Sequence, residues 1–120
     1  MQNFLYVFLG SGVGGCIRYA LSLLLNKYNF ILPIYTLISN VLACFILGIT
    51  MNYLIQHNEN NQLKLLIAIG ICGGMSTYST FSYEVLQQIN SGAWGQVLLY
   101  SIGKFTLCLV AIVLGTKISF

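Results

Sequence analysis

The sequence predicts an all-α integral membrane protein with four transmembrane helices, the third broken at its centre, paired as an antiparallel dual-topology dimer. Three observations carry that prediction. Hydrophobic residues make up 58% of the 120 positions and charged residues only 6%, for a mean hydropathy of +0.84, whereas soluble domains hold roughly a quarter charged residues. Four apolar stretches, over residues 4–25, 31–55, 63–88 and 94–118, each come near the ~20 residues that a spanning helix needs. They use up the chain, so 1–120 reads as a single four-helix transmembrane domain with no soluble part. The basic residues are also balanced: with four spans, Lys64 and Lys117 fall on the side of the termini, and Lys27 and Arg18 on the other. Orientation normally follows an excess of Lys and Arg in cytoplasmic loops. A balanced chain inserts both ways, and two opposite copies pair about a two-fold axis in the membrane plane. One fixed orientation that this count fails to capture is the alternative.

In the first helix, MQNFLYVFLG lacks the basic n-region of a signal peptide and Arg18 interrupts the apolar run, so a retained helix is expected. GSGVGG holds two small-xxx-small pairs, Gly10 with Gly14 and Ser11 with Gly15, a packing surface suited to a second subunit. Four helices alone enclose little, and a route for a solute calls for such a subunit. Arg18 lies close enough to the helix end for its guanidinium to snorkel. In the second helix, Thr36, Asn40, Cys44 and Gly48 recur every four residues and form one stripe of small or polar character. Asn40, near mid-membrane, offers two N–H donors to an anion without a full charge that would trap it. It serves equally well as a hydrogen-bonded link to a neighbouring helix. The polar turn that follows, QHNENNQ at 56–62, contains His57 and Glu59.

The third helix carries GICGGMSTYSTFS at 70–82, glycines and hydroxyls placed where hydrocarbon penalises unsatisfied backbone. An interruption at Gly73 and Gly74 strands carbonyls before the break and N–H groups after it at the membrane centre. Freed carbonyls suit a small cation, and in an antiparallel dimer the two breaks meet on the axis. Beyond the break Tyr78 and Phe81 share one face, with Ser79 and Ser82 in a parallel row. Ring edges are electropositive and attract an anion; an aromatic pair at this spacing is also ordinary packing.

In the fourth helix Tyr100, Lys104 and Cys108 share a face, and Lys104 lies roughly 15 Å beyond Trp94 at 1.5 Å per residue. A cation there is costly unless it pairs or meets water, so this face is expected to line a polar pathway or the dimer interior. Glu84 looks offset in depth from it. Cys16, Cys44, Cys72 and Cys108 fall one per helix, which fits neither a disulfide framework nor metal-ligand spacing. Glu59 and Glu84 are the only acids and His57 the only histidine, poor equipment for hydrolysis or proton relay. CGGMST lacks the Gly-Lys-Ser/Thr ending of a phosphate loop. No enzyme activity, nucleotide site or nucleic-acid partner is expected.

These residues resemble the Fluc (CrcB) fluoride channels, small four-helix bacterial membrane proteins that export fluoride passively. The strongest element is GICGGMSTYSTFS, similar to that family's third-helix pattern of Gly-Gly, two hydroxyl residues, Phe and Ser-Thr-Phe-Ser. GSGVGGCIRY resembles the first-helix motif ending in Arg18 and Tyr19, and the run from Thr36 through Asn40 to Phe45 and Gly48 resembles the second helix, so the likeness spans nearly the whole chain. It implies a fluoride-specific, multi-pass channel of the bacterial inner (plasma) membrane, with two antiparallel subunits, two fluoride pores and a structural sodium ion between them. The sodium would be coordinated by the backbone carbonyls of Gly73 and Ser76. The pore aromatics would be Tyr78 and Phe81, with Asn40 near them and Thr77, Thr80, Ser79 and Ser82 as hydroxyl contacts. Tyr100 and Lys104 would follow along the fourth helix, and Arg18 would lie by a vestibule.

Three positions depart from the family pattern: Tyr78 replaces the usual Phe, Lys104 a serine and Ala43 a glycine. The partner implied is a second copy or a paralogous chain, one pore being modified in the heterodimer. Two further readings stand beside this one. A small-multidrug-resistance-type transporter shares the length and topology but needs a titratable carboxylate in its first helix, and none is there. The other is a non-conducting partner or assembly subunit, for which the polar stripes are interhelical packing.

Overall fold

Four helices long and apolar enough to cross a membrane form in the computed structural model, which describes residues 1–57 and 61–118. Among these residues no strand occurs, and the chain is a multi-pass, all-helical membrane protein. α1 is Gln2–Leu25 and α2 is Ile34–His57, each about 36 Å long at 1.5 Å per residue, enough for a hydrocarbon core of ~30 Å. The third span, Asn61–Asn90, is built in pieces: a helical turn α3 (Asn61–Leu63), π-helical turns over Lys64–Ile71, then α4 (Cys72–Met75) and α5 (Tyr78–Asn90). In the π-helical part the N–H of Cys72 reaches back to the carbonyl of Ile67, one residue further than in an α-helix. α6 is Trp94–Thr116. Of the polar turn, His57 closes α2 with its ring 4.5 Å from that of Tyr53, whereas Glu59 lies outside the described residues.

The connections follow from their residues. After α1 a short 3-10 turn, Asn26–Tyr28, ends on Asn29 at φ 45°, the left-handed region that asparagine tolerates. Pro33 precedes α2 and its carbonyl accepts from the N–H of Leu37 at 3.3 Å; at a helix start the N–H that proline lacks is not needed. After α5 ends at Asn90 the chain turns at Gly92, φ 74°, where Gly92 N–H bonds the Ile89 carbonyl (3.0 Å) and Ala93 N–H the Gln88 carbonyl (2.9 Å). These are the paired bonds of a Schellman cap, with glycine at its left-handed position.

Helix packing relies on close backbone approach. A Cβ at Gly10 would strike the Leu66 carbonyl and come within 2.8 Å of the Gly70 Cα; one at Gly14 would strike the Ile71 carbonyl and lie 2.8 Å from the Met75 nitrogen. Gly74 meets the Ser11 backbone in the same way. The Gly10–Gly14 surface expected to receive a second subunit is therefore taken up inside the chain, against the third span. The reason is physical: lipid supplies no hydrophobic drive between helices, so small residues that let backbones touch find whichever neighbour has matching glycines. α2 and α6 meet at Gly48 and Gly115 by the same device. Between the two helix pairs Ala43, Cys72 and Met75 are buried, with Ile46, Leu47 and Ile67 packed around them. Phe4, Phe8, Leu98 and Phe105 face outward, as lipid contact requires.

Candidate functional site

The third span leaves helical geometry at Ser76 and Thr77, whose φ/ψ pairs of −79°/150° and −150°/121° are extended. Gly73 and Gly74, where an interruption is expected from composition, lie within α4, which corrects the expected position. Gly74 is held against the Ser11 backbone, and the Ser76 N–H still reaches the Cys72 carbonyl at 2.9 Å. The first group without a helical partner is thus the N–H of Thr77. A continuous helix would send it to the Gly73 carbonyl; here it donates to Oδ1 of Asn40 at 3.0 Å. The Gly73 carbonyl is released, and Gly73 itself is exposed.

Asn40 therefore ties α2 to this irregular stretch. The bond from the Thr77 N–H forms the link of Asn40 to a neighbouring span; its Nδ2 donates within α2 to the Thr36 carbonyl at 2.7 Å, and a second N–H on Nδ2 remains. Thr77 starts α5: its Oγ1 accepts from the Thr80 N–H (3.3 Å), donates to the Thr80 hydroxyl (3.0 Å) and lies 3.3 Å from the Ser79 hydroxyl. Thr77, Ser79 and Thr80 form one hydroxyl cluster at a helix N-terminus. Ser82 is separate, its hydroxyl donating along the helix to the Tyr78 carbonyl at 3.0 Å.

The aromatic residues form a row. The Tyr78 ring, 80% exposed, lies 5.9 Å from that of Phe81, which is 5.4 Å from that of Tyr100. Buried Tyr100 donates its hydroxyl to Oε2 of Glu84 at 2.7 Å, and the Thr36 hydroxyl donates to Oε1. Glu84, 7% exposed, has both oxygens engaged by hydroxyls. Lys104 is 8% exposed and forms no ion pair with it. Its Nζ has no hydrogen-bond partner and sits 4.2 Å from the centroid of Phe81 and 5.4 Å from that of Tyr100, a cation over two ring faces.

Two cavities open at the end where α1 finishes and α2 begins. One of about 240 Å³ is lined by Arg18, Tyr19, Tyr35 and Thr80. The other, about 430 Å³, is lined by Asn29, Glu84, Gln88 and Gln96 among others. Thr80 and Glu84 thus link the hydroxyl cluster and the aromatic row to space reachable from that end. Sequence reasoning left Thr36 and Glu84 out of the site. The signal for Glu84 is its rarity, since a carboxylate inside a span is by default a functional position. Thr36 carried no signal beyond its place on the stripe with Asn40.

The family described as CrcB-like protein, Camphor Resistance (CrcB), matches residues 5–116. Similar proteins include a fluoride-specific ion channel FluC of Phocaeicola vulgatus, 35% identical over 99% of both chains. Fluoride-specific ion channel FluC 1 of Yersinia pestis is 41% identical, covering 94% of this chain and 93% of that one. Fluoride-specific ion channel FluC 2 of Staphylococcus saprophyticus is 35% identical, covering 98% and 100%. A match that runs through all four spans, including the irregular stretch at Ser76 and Thr77, shows that the chain belongs to the CrcB family.

Proposed function

We propose that the chain is a subunit of a fluoride-specific ion channel through which fluoride leaves the cytoplasm passively across the bacterial inner membrane. The observation that carries this reading is the released backbone and hydroxyl cluster at 76–80, set beside the aromatic row. Fluoride is small and strongly hydrated, so its water must be replaced at close range by donors. The Thr80 hydroxyl, the second N–H of Asn40 and the ring edges of Tyr78 and Phe81 supply neutral ones, and the hydroxyls of Thr77, Ser79 and Ser82 join them by turning away from the partners they hold in the single chain. Tyr100 and Lys104 continue the row inward, and Arg18, lining its cavity, places positive charge at a mouth.

The working unit in this reading is an antiparallel dual-topology dimer. Tyr78, Ser79 and Gly73 are exposed on the single chain at mid-span, where polar backbone and hydroxyls facing lipid are unfavourable. A second copy laid against the third span covers them. The break in that span then serves as the meeting point, and the carbonyls of Gly73 and Ser76 from both subunits offer the oxygen ligands that suit a small hard cation such as sodium. The released Gly73 carbonyl supports that fit. Sodium held there would offset the converging dipoles of those carbonyls and would not be transported.

The test is fluoride efflux from liposomes holding the purified protein, with chloride as control. Fluoride-selective flux above that of empty liposomes, reduced at least tenfold in Asn40→Ala and Phe81→Ala, is the expected result. A well-folded dimer that passes neither ion, alone or with a paralogous partner, overturns the reading.

A further inference from the structure

We propose that the buried ammonium of Lys104 is a binding site for fluoride, from which the ion leaves slowly; the inference deepens the channel reading above and rests on it. Lys104 is among the costliest groups a membrane span can hold, and its cost is set by what surrounds Nζ. The faces of Phe81 and Tyr100 cover one side, at 4.2 and 5.4 Å from their centroids. An ammonium carries three N–H donors and ring faces satisfy none of them fully. No acceptor reaches Nζ, and the residue is 8% exposed. The carboxylate of Glu84 accepts from the hydroxyls of Thr36 and Tyr100 and makes no ion pair with Nζ. Nζ is therefore buried with its donors unmet even though the Glu84 charge lies nearby, and an anion that reaches Nζ is what completes them.

The same charge acts through the ring. A cation over the face of Phe81 draws π density toward itself and leaves the ring edge more electropositive, which strengthens an edge contact to an anion. Conduction needs sites weak enough to leave. A full charge at this position deepens the well and lengthens each ion's stay, so removing it is expected to weaken binding and to speed passage.

The experiment titrates sodium fluoride into the purified protein by calorimetry, with sodium chloride in parallel, for the wild type, Lys104→Met and Lys104→Arg. The same proteins are then assayed for efflux from liposomes. Fluoride affinity at least tenfold lower in Lys104→Met, retained in Lys104→Arg, with faster efflux from the methionine variant, is the expected result. Fluoride affinity equal in wild type and Lys104→Met overturns the inference, as does wild-type protein that binds no fluoride, a result that needs no variant to fold. Efflux equal in both with unchanged affinity overturns the inference and leaves the channel reading standing. Binding lost in Lys104→Met without flux from either protein supports the anion site and overturns the channel reading.

Discussion

Replacing Asn40 by alanine removes two hydrogen bonds whose loss is unequal. The Thr36 carbonyl, bonded by Nδ2 at 2.7 Å, also accepts from the Ser39 hydroxyl at 3.3 Å and stays satisfied. The Thr77 N–H is buried and has only Oδ1 of Asn40, at 3.0 Å, because Thr77 stands outside the helix that would have given it a carbonyl. An orphaned buried donor costs about 1–3 kcal/mol, and hydrogen bonds between membrane helices average lower, about 0.6 with a maximum near 1.7. A cost of about 1.4 kcal/mol corresponds to a tenfold change in the local opening equilibrium. Hydrogen–deuterium exchange of the detergent-solubilised protein, read on peptides covering 76–82, should show protection of the Thr77 amide falling about tenfold while α2 and α6 keep theirs. Unchanged protection refutes the reasoning, because another group must then hold that N–H. Increased protection refutes it too: the third span would have healed into a continuous helix once Asn40 released it.

Gly14→Val drives a side chain into the backbone of Ile71 and Met75, with no flexible neighbour to yield, and should cost about 3 kcal/mol; a large drop in melting temperature by size-exclusion thermal assay is expected, and a wild-type profile refutes it. Gly12→Ala has open space around it and should hold or raise the melting temperature, by up to about 1 kcal/mol of helix propensity. Gly92→Ala forces a side chain into φ 74° and should cost about 1 kcal/mol in the same assay. Tyr100→Phe and Thr36→Val each remove one hydroxyl from the same carboxylate, so the double variant's stability should differ from the sum of the single changes; additivity within about 0.5 kcal/mol would mean that the two bonds act independently.

The four spans were legible because membrane insertion is decided by local composition, and composition is what a single sequence records. The helix ends at Pro33 and Gly92 are also set by one residue's backbone each, although the spans expected from composition, 31–55 and 63–88, did not use them. The irregular stretch was legible only to its neighbourhood. Two adjacent glycines weaken a helix by propensity, but Gly74 is pinned by Ser11 from another helix, and the helical pattern gives way where Asn40 offers an acceptor to Thr77. Both partners are distant in sequence. The glycines of α1 posed the same difficulty: Gly10 and Gly14 announced a close contact without saying with what. Glu84 was visible as the acid inside a span but was expected to be offset in depth from the Tyr100 face, whereas its hydroxyl partners are Thr36 and Tyr100, 48 and 16 residues away, and only folding brings them together.

The π-helical turns over Lys64–Ile71 bear on how the third span keeps its phase. A wide turn advances through a smaller angle per residue than an α-helical one, and converting this stretch to α-helix would rotate everything after it about the helix axis. Gly70 and Gly74 would then swing away from α1, presenting bulkier side chains to Gly10 and Ser11. The matched glycines thus work as an indexing pin: only one rotational setting lets the two backbones touch, and that setting also aims Thr77 at Asn40. The alignment of the aromatic row therefore depends on a few missing methyl groups one turn upstream.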